Sequence, residues 1–170
     1  LLRTANKNAY DFQILKSVLD VNSNQRRILV DKISSFFENK LSGKKIGLWG
    51  LSFKPNTDDI REAPALYVVR ELLDKGALLQ VYDPEAMDNF SKVFEPSDQI
   101  KYVNNLYDAV DNADALAIMT EWSVFRVPDF AKIQKNMKGH AIFDGRNLYD
   151  LEYMRKMDFH YESIGRNTIQ

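Results

Sequence analysis

The chain has 170 residues, 45% of them hydrophobic, which is enough for a globular fold with a core of its own. Its charge is almost balanced, with 23 basic and 24 acidic side chains and a formal net charge of −1. That balance disfavours nucleic-acid binding, which usually requires a basic face. No apolar run approaches the length of a membrane span. We therefore expect no nucleic-acid partner, no membrane insertion and a cytoplasmic location.

The residue types that most often carry metal and thiol chemistry are scarce. The chain contains no cysteine, which excludes disulfides, thiolate metal ligands and thiol nucleophiles within these residues. Its two histidines, His140 and His160, are too few for a histidine-based metal site, so we predict none. The first residue is a leucine and not a methionine, which suggests a piece of a longer protein.

The first 43 residues have the periodicity of a helix. Hydrophobic residues recur every three or four positions between Leu15 and Phe37. The polar stretch 22–24 either caps a second helix or kinks one long helix. Such a helical arm cannot bury its own apolar stripe and needs a partner surface. That surface belongs either to the rest of this chain or to another subunit, and the sequence allows both.

Beyond a break at residues 41–45, short apolar strands alternate with amphipathic segments. Strands are predicted at 45–49, 78–82, 100–103, 115–119 and 141–143, and helices at 65–73, 106–110 and 130–137, with two further elements at 151–157 and 159–164. This alternation predicts an α/β fold, a Rossmann-like parallel sheet with helices on both faces, preceded by the helical arm. Ligands of such sheets bind beyond the carboxyl ends of the strands. The loops at 50–62, 83–84, 120–122 and 144–147 are therefore the candidates for a site.

The loop after the first strand is long and charged. Its glycines, Gly47 and Gly50, follow a GxxG spacing, so the GxGxxG dinucleotide fingerprint is absent. The loop brings two cations, Lys54 and Arg61, together with two aspartates at 58–59. The cations either meet phosphate or sugar oxygens or pair with the aspartates in a solvated loop. Composition alone favours the ion pairs.

The order of residues in this loop is more specific than its composition. The stretch FKPNTDDIRE at 53–62 resembles the C-terminal domain of the UDP-glucose/GDP-mannose dehydrogenase family, the nucleotide-sugar 6-dehydrogenases. Three more stretches match this family in the same order: VYDP at 81–84, TEWSVF at 120–125 and FDGRN at 143–147. The resemblance implies that residues 1–43 end a central helical domain and that residues 44–170 form the nucleotide-sugar (UDP) binding domain.

The resemblance also implies an activity and roles for particular residues. Family members oxidise the sugar C6 alcohol to a carboxylate in two hydride transfers to NAD⁺. By this likeness Phe53, Lys54 and Arg146 contact the nucleotide sugar, Arg61 reaches the NAD, and the helical arm contributes to a homodimer. The TEW and DGRN stretches are more similar to the members that use UDP-glucose than to those that use GDP-mannose or UDP-N-acetylhexosamines. For Arg146 alone, an ion pair with Asp144 or Asp150 is an equal alternative.

Two parts of the family's machinery have no counterpart in this sequence. The family's nucleophile is a cysteine, and its main NAD-binding domain is rich in glycine; the chain contains neither. A thiolate is needed for a covalent intermediate that can surrender a second hydride. We therefore expect no catalytic residue here, an inactive isolated chain and an enzyme only at full length. The alternative is a nucleotide-binding or dimerisation module without chemistry of its own.

Three other residues at the predicted ligand edge are assigned smaller parts. Asp83 ends a predicted strand, where an acid binds ribose in many nucleotide folds, but the proline after it favours a plain turn residue. Glu121 is expected to cap the next segment, and Trp122 is expected to pack.

Overall fold

Six strands form one fully parallel sheet in the computed structural model, which describes residues 11–169. The strands are β1 (Lys45–Trp49), β2 (Leu78–Tyr82), β3 (Ile100–Tyr102), β4 (Ala115–Ile118), β5 (Ala141–Asp144) and β6 (His160–Ser163). Their order is β3-β2-β1-β4-β5-β6, so the chain crosses from the edge back to the centre between β3 and β4. This is the doubly wound Rossmann arrangement, and the predicted fold class is confirmed. Residues 1–10, where the predicted helical-domain segment starts, lie outside the described residues.

Helices cover both faces of the sheet, as expected for parallel strands buried on two sides. They are α1 (Gln13–Phe36), α2 (Pro64–Asp74), α3 (Met87–Ser91), α4 (Leu106–Ala109), α5 (Ser123–Arg126), α6 (Phe130–Asn136) and α7 (Leu151–Lys156). One core packs α1, α2 and α3 against the sheet, and a second packs α4 to α7 against the other face. Within the described residues, no helix is long and apolar enough to cross a membrane.

The strand that leads to the candidate site alternates its side chains between the two cores. In β1, Ile46 and Leu48 join the α1–α3 core, and Trp49 joins the other. The strand ends at Gly50, whose φ of +92° is a conformation that glycine adopts without a steric penalty. A Cβ there would lie 2.6 Å from the backbone nitrogen of Thr120. The loop after β1 therefore leaves the sheet in close contact with the loop after β4.

The helical arm is one continuous helix, α1, which runs through residues 22–24 without a break. Its second half packs on this chain: Leu29, Val30 and Ile33 are buried in the core, and Lys32 forms an ion pair with Glu162 on β6 at 2.9 Å. Its first half exposes an apolar face: Ile14 is 75% exposed and Val21 is 62% exposed, and Val18 and Leu19 are exposed as well. The rest of this chain is therefore the partner surface for the second half of the arm, and it does not cover the apolar face of the first half.

Candidate functional site

Loops from four strands meet at the carboxyl edge of the sheet. The hydroxyl of Thr120, after β4, donates to the Ser52 carbonyl in the loop after β1, at 2.7 Å. The Nε of Arg146, after β5, donates to the Met119 carbonyl at 2.7 Å. Because all six strands run in the same direction, their carboxyl ends share one edge and these contacts follow from the topology. The long loop and Arg146 meet there, as the sequence predicts.

Arg146 is held by contacts from two other loops, those after β1 and β4. Besides Met119, its Nη2 donates to the Phe53 carbonyl at 3.4 Å, and its Nε lies 3.1 Å from a carboxylate oxygen of Glu121. The ion-pair partner is therefore Glu121, and the alternative of a pair with Asp144 or Asp150 is wrong. The Asp144 carboxylate instead accepts the backbone N–H of Arg146 at 2.7 Å, which shapes the turn after β5. The expected cap made by Glu121 is also absent, since α5 begins after Trp122 with no side-chain cap.

A cavity of about 410 Å³ opens beside Arg146. One wall comes from α1 and the opposite wall from the loops after β1, β4 and β5; the lining residues are Asn22, Gln25, Arg26, Leu29, Phe53, Glu62, Pro64, Met119, Gly145, Arg146 and Ile164. The volume falls in the range of small-molecule sites, and the lining combines two guanidinium groups, two amides and an aromatic ring. The contribution of α1 has no signal in the sequence, because it depends on how the helix packs across the sheet.

The four predicted binding residues do not all line the cavity. Phe53, whose side chain is 48% exposed, and Arg146 both line the cavity. Lys54 is exposed beside Phe53 and forms no hydrogen bond or ion pair with any residue from 11 to 169. Arg61 does not line this cavity; it borders a shallow depression on another side of the same loop, next to Asp59.

Arg61 is exposed and braced by Asp59. Its side chain is 87% exposed, and its Nη2 lies 2.7 Å from Oδ2 of Asp59, while its Nε donates to Oδ1 at 2.9 Å. The ion pair that composition favours is therefore present, and it leaves the guanidinium at the surface. Hydrogen bonds from Arg61 lower the pKa of the Asp59 carboxyl from 3.8 to about 2.

This shift predicts how the pair responds to acid. Because the pKa of Asp59 is lower in the folded chain, the pair favours folding above pH 3.8 and loses this contribution as the pH falls toward 2. We expect Arg61→Ala to return the Asp59 pKa toward 3.8. Side-chain carboxyl NMR across an acid titration measures both values. A wild-type Asp59 that titrates near 3.8 would show that the pair does not persist in solution.

Asp83 has a larger structural role than the sequence analysis predicts. It is 1% exposed, and its carboxylate accepts six hydrogen bonds. The donors are Leu51 N, Ser52 N, Ser52 Oγ, Trp122 Nε1, Glu85 N and Ala86 N, at 2.7 to 3.1 Å. Asp83 is thus the predicted turn residue, since its Oδ1 accepts from Glu85 N and Ala86 N, and its Oδ2 also connects this turn to two other loops. Trp122 both packs and donates. An aspartate directly after an apolar strand was the available signal, but four of its six donors come from distant segments.

The contacts of Asp83 and of the turn at Gly50 bear on whether this sheet can itself bind a dinucleotide in the standard position. In Rossmann domains the acid at the end of the second strand binds a ribose, and a glycine-rich turn approaches the pyrophosphate. Here the Asp83 oxygens are used by the chain's own loops, and the turn at Gly50 packs against Thr120. The acid and the turn that would hold a dinucleotide in a standard Rossmann domain are therefore both engaged in contacts within this chain.

Comparison with known proteins identifies the class to which this site belongs. Residues 47–151, more than half of the chain, match the family described as "UDP-glucose/GDP-mannose dehydrogenase family, UDP binding domain". The chain belongs to this family, which confirms the resemblance drawn from its motifs.

Its relatives are enzymes that are considerably longer than this chain. The UDP-glucose 6-dehydrogenase of Pseudomonas aeruginosa is 38% identical over 169 residues, which cover 98% of this chain and 37% of the relative. The UDP-glucose 6-dehydrogenase TuaD of Bacillus subtilis is 35% identical over 170 residues, 100% of this chain and 36% of the relative. The chain therefore spans just over a third of the length of these curated relatives.

Solved structures agree with the fold. A UDP-glucose dehydrogenase from Pyrobaculum islandicum superimposes with a TM-score of 0.77 at 31% identity, covering 95% of this chain and 34% of that structure. A GDP-mannose dehydrogenase from Pseudomonas aeruginosa gives a TM-score of 0.65 at 27% identity, covering 84% of this chain and 33% of that structure.

Proposed function

We propose that the full-length protein is an NAD-dependent UDP-glucose 6-dehydrogenase, which oxidises UDP-glucose to UDP-glucuronate in two hydride transfers to NAD⁺. In this proposal residues 1–43 end the central helical domain and residues 44–170 bind the nucleotide sugar. Membership of the family and the names of its relatives support the assignment. The observation that carries it is the cavity where Arg146 and Phe53 face α1, since a nucleotide sugar needs both anion donors and an aromatic surface.

Residues in and beside the cavity have different parts in the proposed binding of the nucleotide sugar. The Nε of Arg146 is engaged by Met119, and its terminal nitrogens can present two parallel donors to diphosphate or sugar oxygens. Lys54 adds a point charge on a flexible stem, and the half-exposed ring of Phe53 offers a face to the base or the sugar. Glu121 balances the charge of Arg146 and so keeps the guanidinium in place.

This chain's part in the oxidation is to bind and orient. NAD⁺, when bound, accepts the hydride. Arg61 would contact its phosphates, because it is exposed and held by Asp59. The chain has no cysteine, so the nucleophile that the family resemblance implies must come from another part of the protein. We accordingly expect the isolated chain to be inactive.

The nearest alternatives are dehydrogenases for GDP-mannose or UDP-N-acetylhexosamines. The specific observation in favour of UDP-glucose is the higher similarity to the solved UDP-glucose dehydrogenase, with 31% identity and a TM-score of 0.77, against 27% and 0.65 for the GDP-mannose dehydrogenase. A cytoplasmic location belongs to the same proposal and rests on the family resemblance.

The test is NADH formation by the purified full-length protein with each nucleotide sugar. We expect two NADH per UDP-glucose consumed and far slower turnover of GDP-mannose and UDP-N-acetylmannosamine. Turnover restricted to one of the other sugars would replace UDP-glucose by that substrate. Binding of UDP with no turnover of any sugar would favour the non-catalytic module.

We also propose that the protein is a homodimer joined through the helical arm. The support is the exposed apolar face on the first half of α1, which includes Ile14 and Val18. A charge on this face should oppose its burial, so we expect Val18→Asp to weaken the dimer and Lys16→Ala, at a polar position of the same helix, to leave it intact. Sedimentation of the full-length variants measures this. A wild-type monomer at micromolar concentration would contradict the proposal.

A further inference from the structure

A three-residue contact joins the helical arm to the candidate-site loop. The Nη2 of Arg26, on α1, lies 2.8 Å from Oε2 of Glu62, the last residue of the motif in the loop. The guanidinium also stacks over the ring of Tyr67 on α2, with 4.3 Å between Cζ and the ring centroid. The Tyr67 hydroxyl donates to the same Glu62 oxygen at 3.4 Å. We call Arg26, Glu62 and Tyr67 the arm clasp.

The clasp holds a backbone conformation that a glutamate does not favour. Glu62 has a φ of +59°, in the left-handed region. It is the third residue of a turn closed by a hydrogen bond from Ala63 N to the Ile60 carbonyl at 3.0 Å. A positive φ at this position is the pattern of a type II turn, which prefers glycine or asparagine there. A glutamate therefore needs an external contact to stabilise the turn, and Arg26 and Tyr67 supply it.

The turn that the clasp stabilises also carries Arg61. Arg61 is the second residue of the turn, and its backbone N–H donates to Asp59 at 2.9 Å. Among the described residues, 11 to 169, its side chain is bound by Asp59 alone, and it is 87% exposed. If Glu62 relaxed to a negative φ, the peptide between these two residues would rotate and the direction of the Arg61 side chain would change.

From this geometry we infer that Arg26 is a positioning residue, which acts through Glu62 to fix the direction of Arg61. The side chain of Arg26 is 27% exposed and that of Glu62 is 70% exposed, so the pair is fixed mainly by the ring of Tyr67 and the packing of α1 on α2. The consequence for cofactor binding rests on the proposed function of Arg61. The consequence for the conformation of the loop does not depend on any function of Arg61.

Two measurements on the full-length protein separate these consequences. The first is the KM for NAD⁺ and for UDP-glucose in Arg26→Ala, Arg26→Lys and Arg61→Ala. The second is the rate at which trypsin cuts the Arg61–Glu62 bond, followed by mass spectrometry of the new terminus. Lys54 precedes a proline and resists trypsin, so Arg61 is the cleavage point in the loop. Arg27→Ala is the matched control, because Arg27 is the next residue of α1 and pairs with Glu71 at 3.6 Å, outside the loop.

We expect Arg26→Ala to raise the KM for NAD⁺ and the cleavage rate roughly three- to tenfold, the size of effect usual for coupled neighbouring residues. Arg26→Lys should recover part of both, and Arg27→Ala should change neither. If Arg61→Ala leaves the KM for NAD⁺ unchanged but Arg26→Ala speeds cleavage, the clasp stands and the NAD role of Arg61 fails. If Arg61→Ala raises this KM and Arg26→Ala does not, the inference is overturned. It is likewise overturned if Arg26→Ala matches Arg27→Ala in both measurements.

Discussion

Replacement of Asp83 by alanine is expected to destabilise the fold by about 3–5 kcal/mol and to weaken nucleotide-sugar binding at the same time. The carboxylate is 1% exposed and accepts six hydrogen bonds from three loops. Each buried donor left without an acceptor costs about 1–3 kcal/mol, and a water molecule in the vacated space would offset only part of the sum. Because two of the donors directly precede Phe53, the loss also displaces one wall of the cavity.

Urea unfolding followed by tryptophan fluorescence measures this effect in the full-length protein. Asp150→Ala is the matched control, because Asp150 caps α7 through a single backbone N–H, that of Tyr153, and the loss of such a cap costs about 1 kcal/mol. Asp83→Asn keeps the size of the side chain but places an amide N–H against donors, so it should recover little. An Asp83→Ala variant no less stable than Asp150→Ala would mean that the three loops hold together without the carboxylate.

Replacement of Arg146 by alanine is expected to raise the KM for UDP-glucose by about one to two decades. A hydrogen bond to a charged group contributes about 1.5–3 kcal/mol, and each decade of affinity corresponds to about 1.4 kcal/mol. Arg146→Lys should recover only part of the loss, since an ammonium group cannot present two parallel donors. The KM for NAD⁺ should change less, because Arg61 and not Arg146 is assigned to the cofactor.

The control for Arg146 is another arginine paired with a glutamate. Arg155 pairs with Glu152 on α7, away from the cavity, so Arg155→Ala should leave both KM values unchanged. Thermal melting of each variant shows whether the fold is retained. If Arg146→Ala leaves the KM for UDP-glucose unchanged, Arg146 is a structural partner of Glu121 and has no role in binding.

Most of the sheet was predictable because its central strands β1, β4 and β5 are largely apolar runs between polar loops. The strands β1 and β2 have the predicted bounds, and β3, β4 and β5 differ from theirs by one residue; β6 lies within the element predicted at 159–164, which was assigned to neither helix nor strand. The helices α3 and α5, of 5 and 4 residues, were missed. In α1, the polar stretch 22–24 offered caps for a break, but the helix continues and packs its later turns on α2 and β5.

The site was predictable where its residues stand next to a strand end and not where they come from a distant element. Arg146 and the loop at Phe53 follow β5 and β1, so the topology alone brings them together. The wall made by α1 requires a helix to cross the sheet in one particular register, which no local pattern specifies. The Asp83 contacts depend on three loops whose conformations are fixed only in the folded chain.

The central claim is that a nucleotide sugar binds in the cavity between α1 and Arg146. The most direct test is a crystal structure of the full-length protein with UDP-glucose. We predict oxygens of the diphosphate or the sugar within about 3 Å of the terminal nitrogens of Arg146, the ring of Phe53 against the ligand and Lys54 within reach of it. UDP-glucose bound elsewhere, with Arg146 still directed only at Glu121 and the neighbouring carbonyls, would contradict the account.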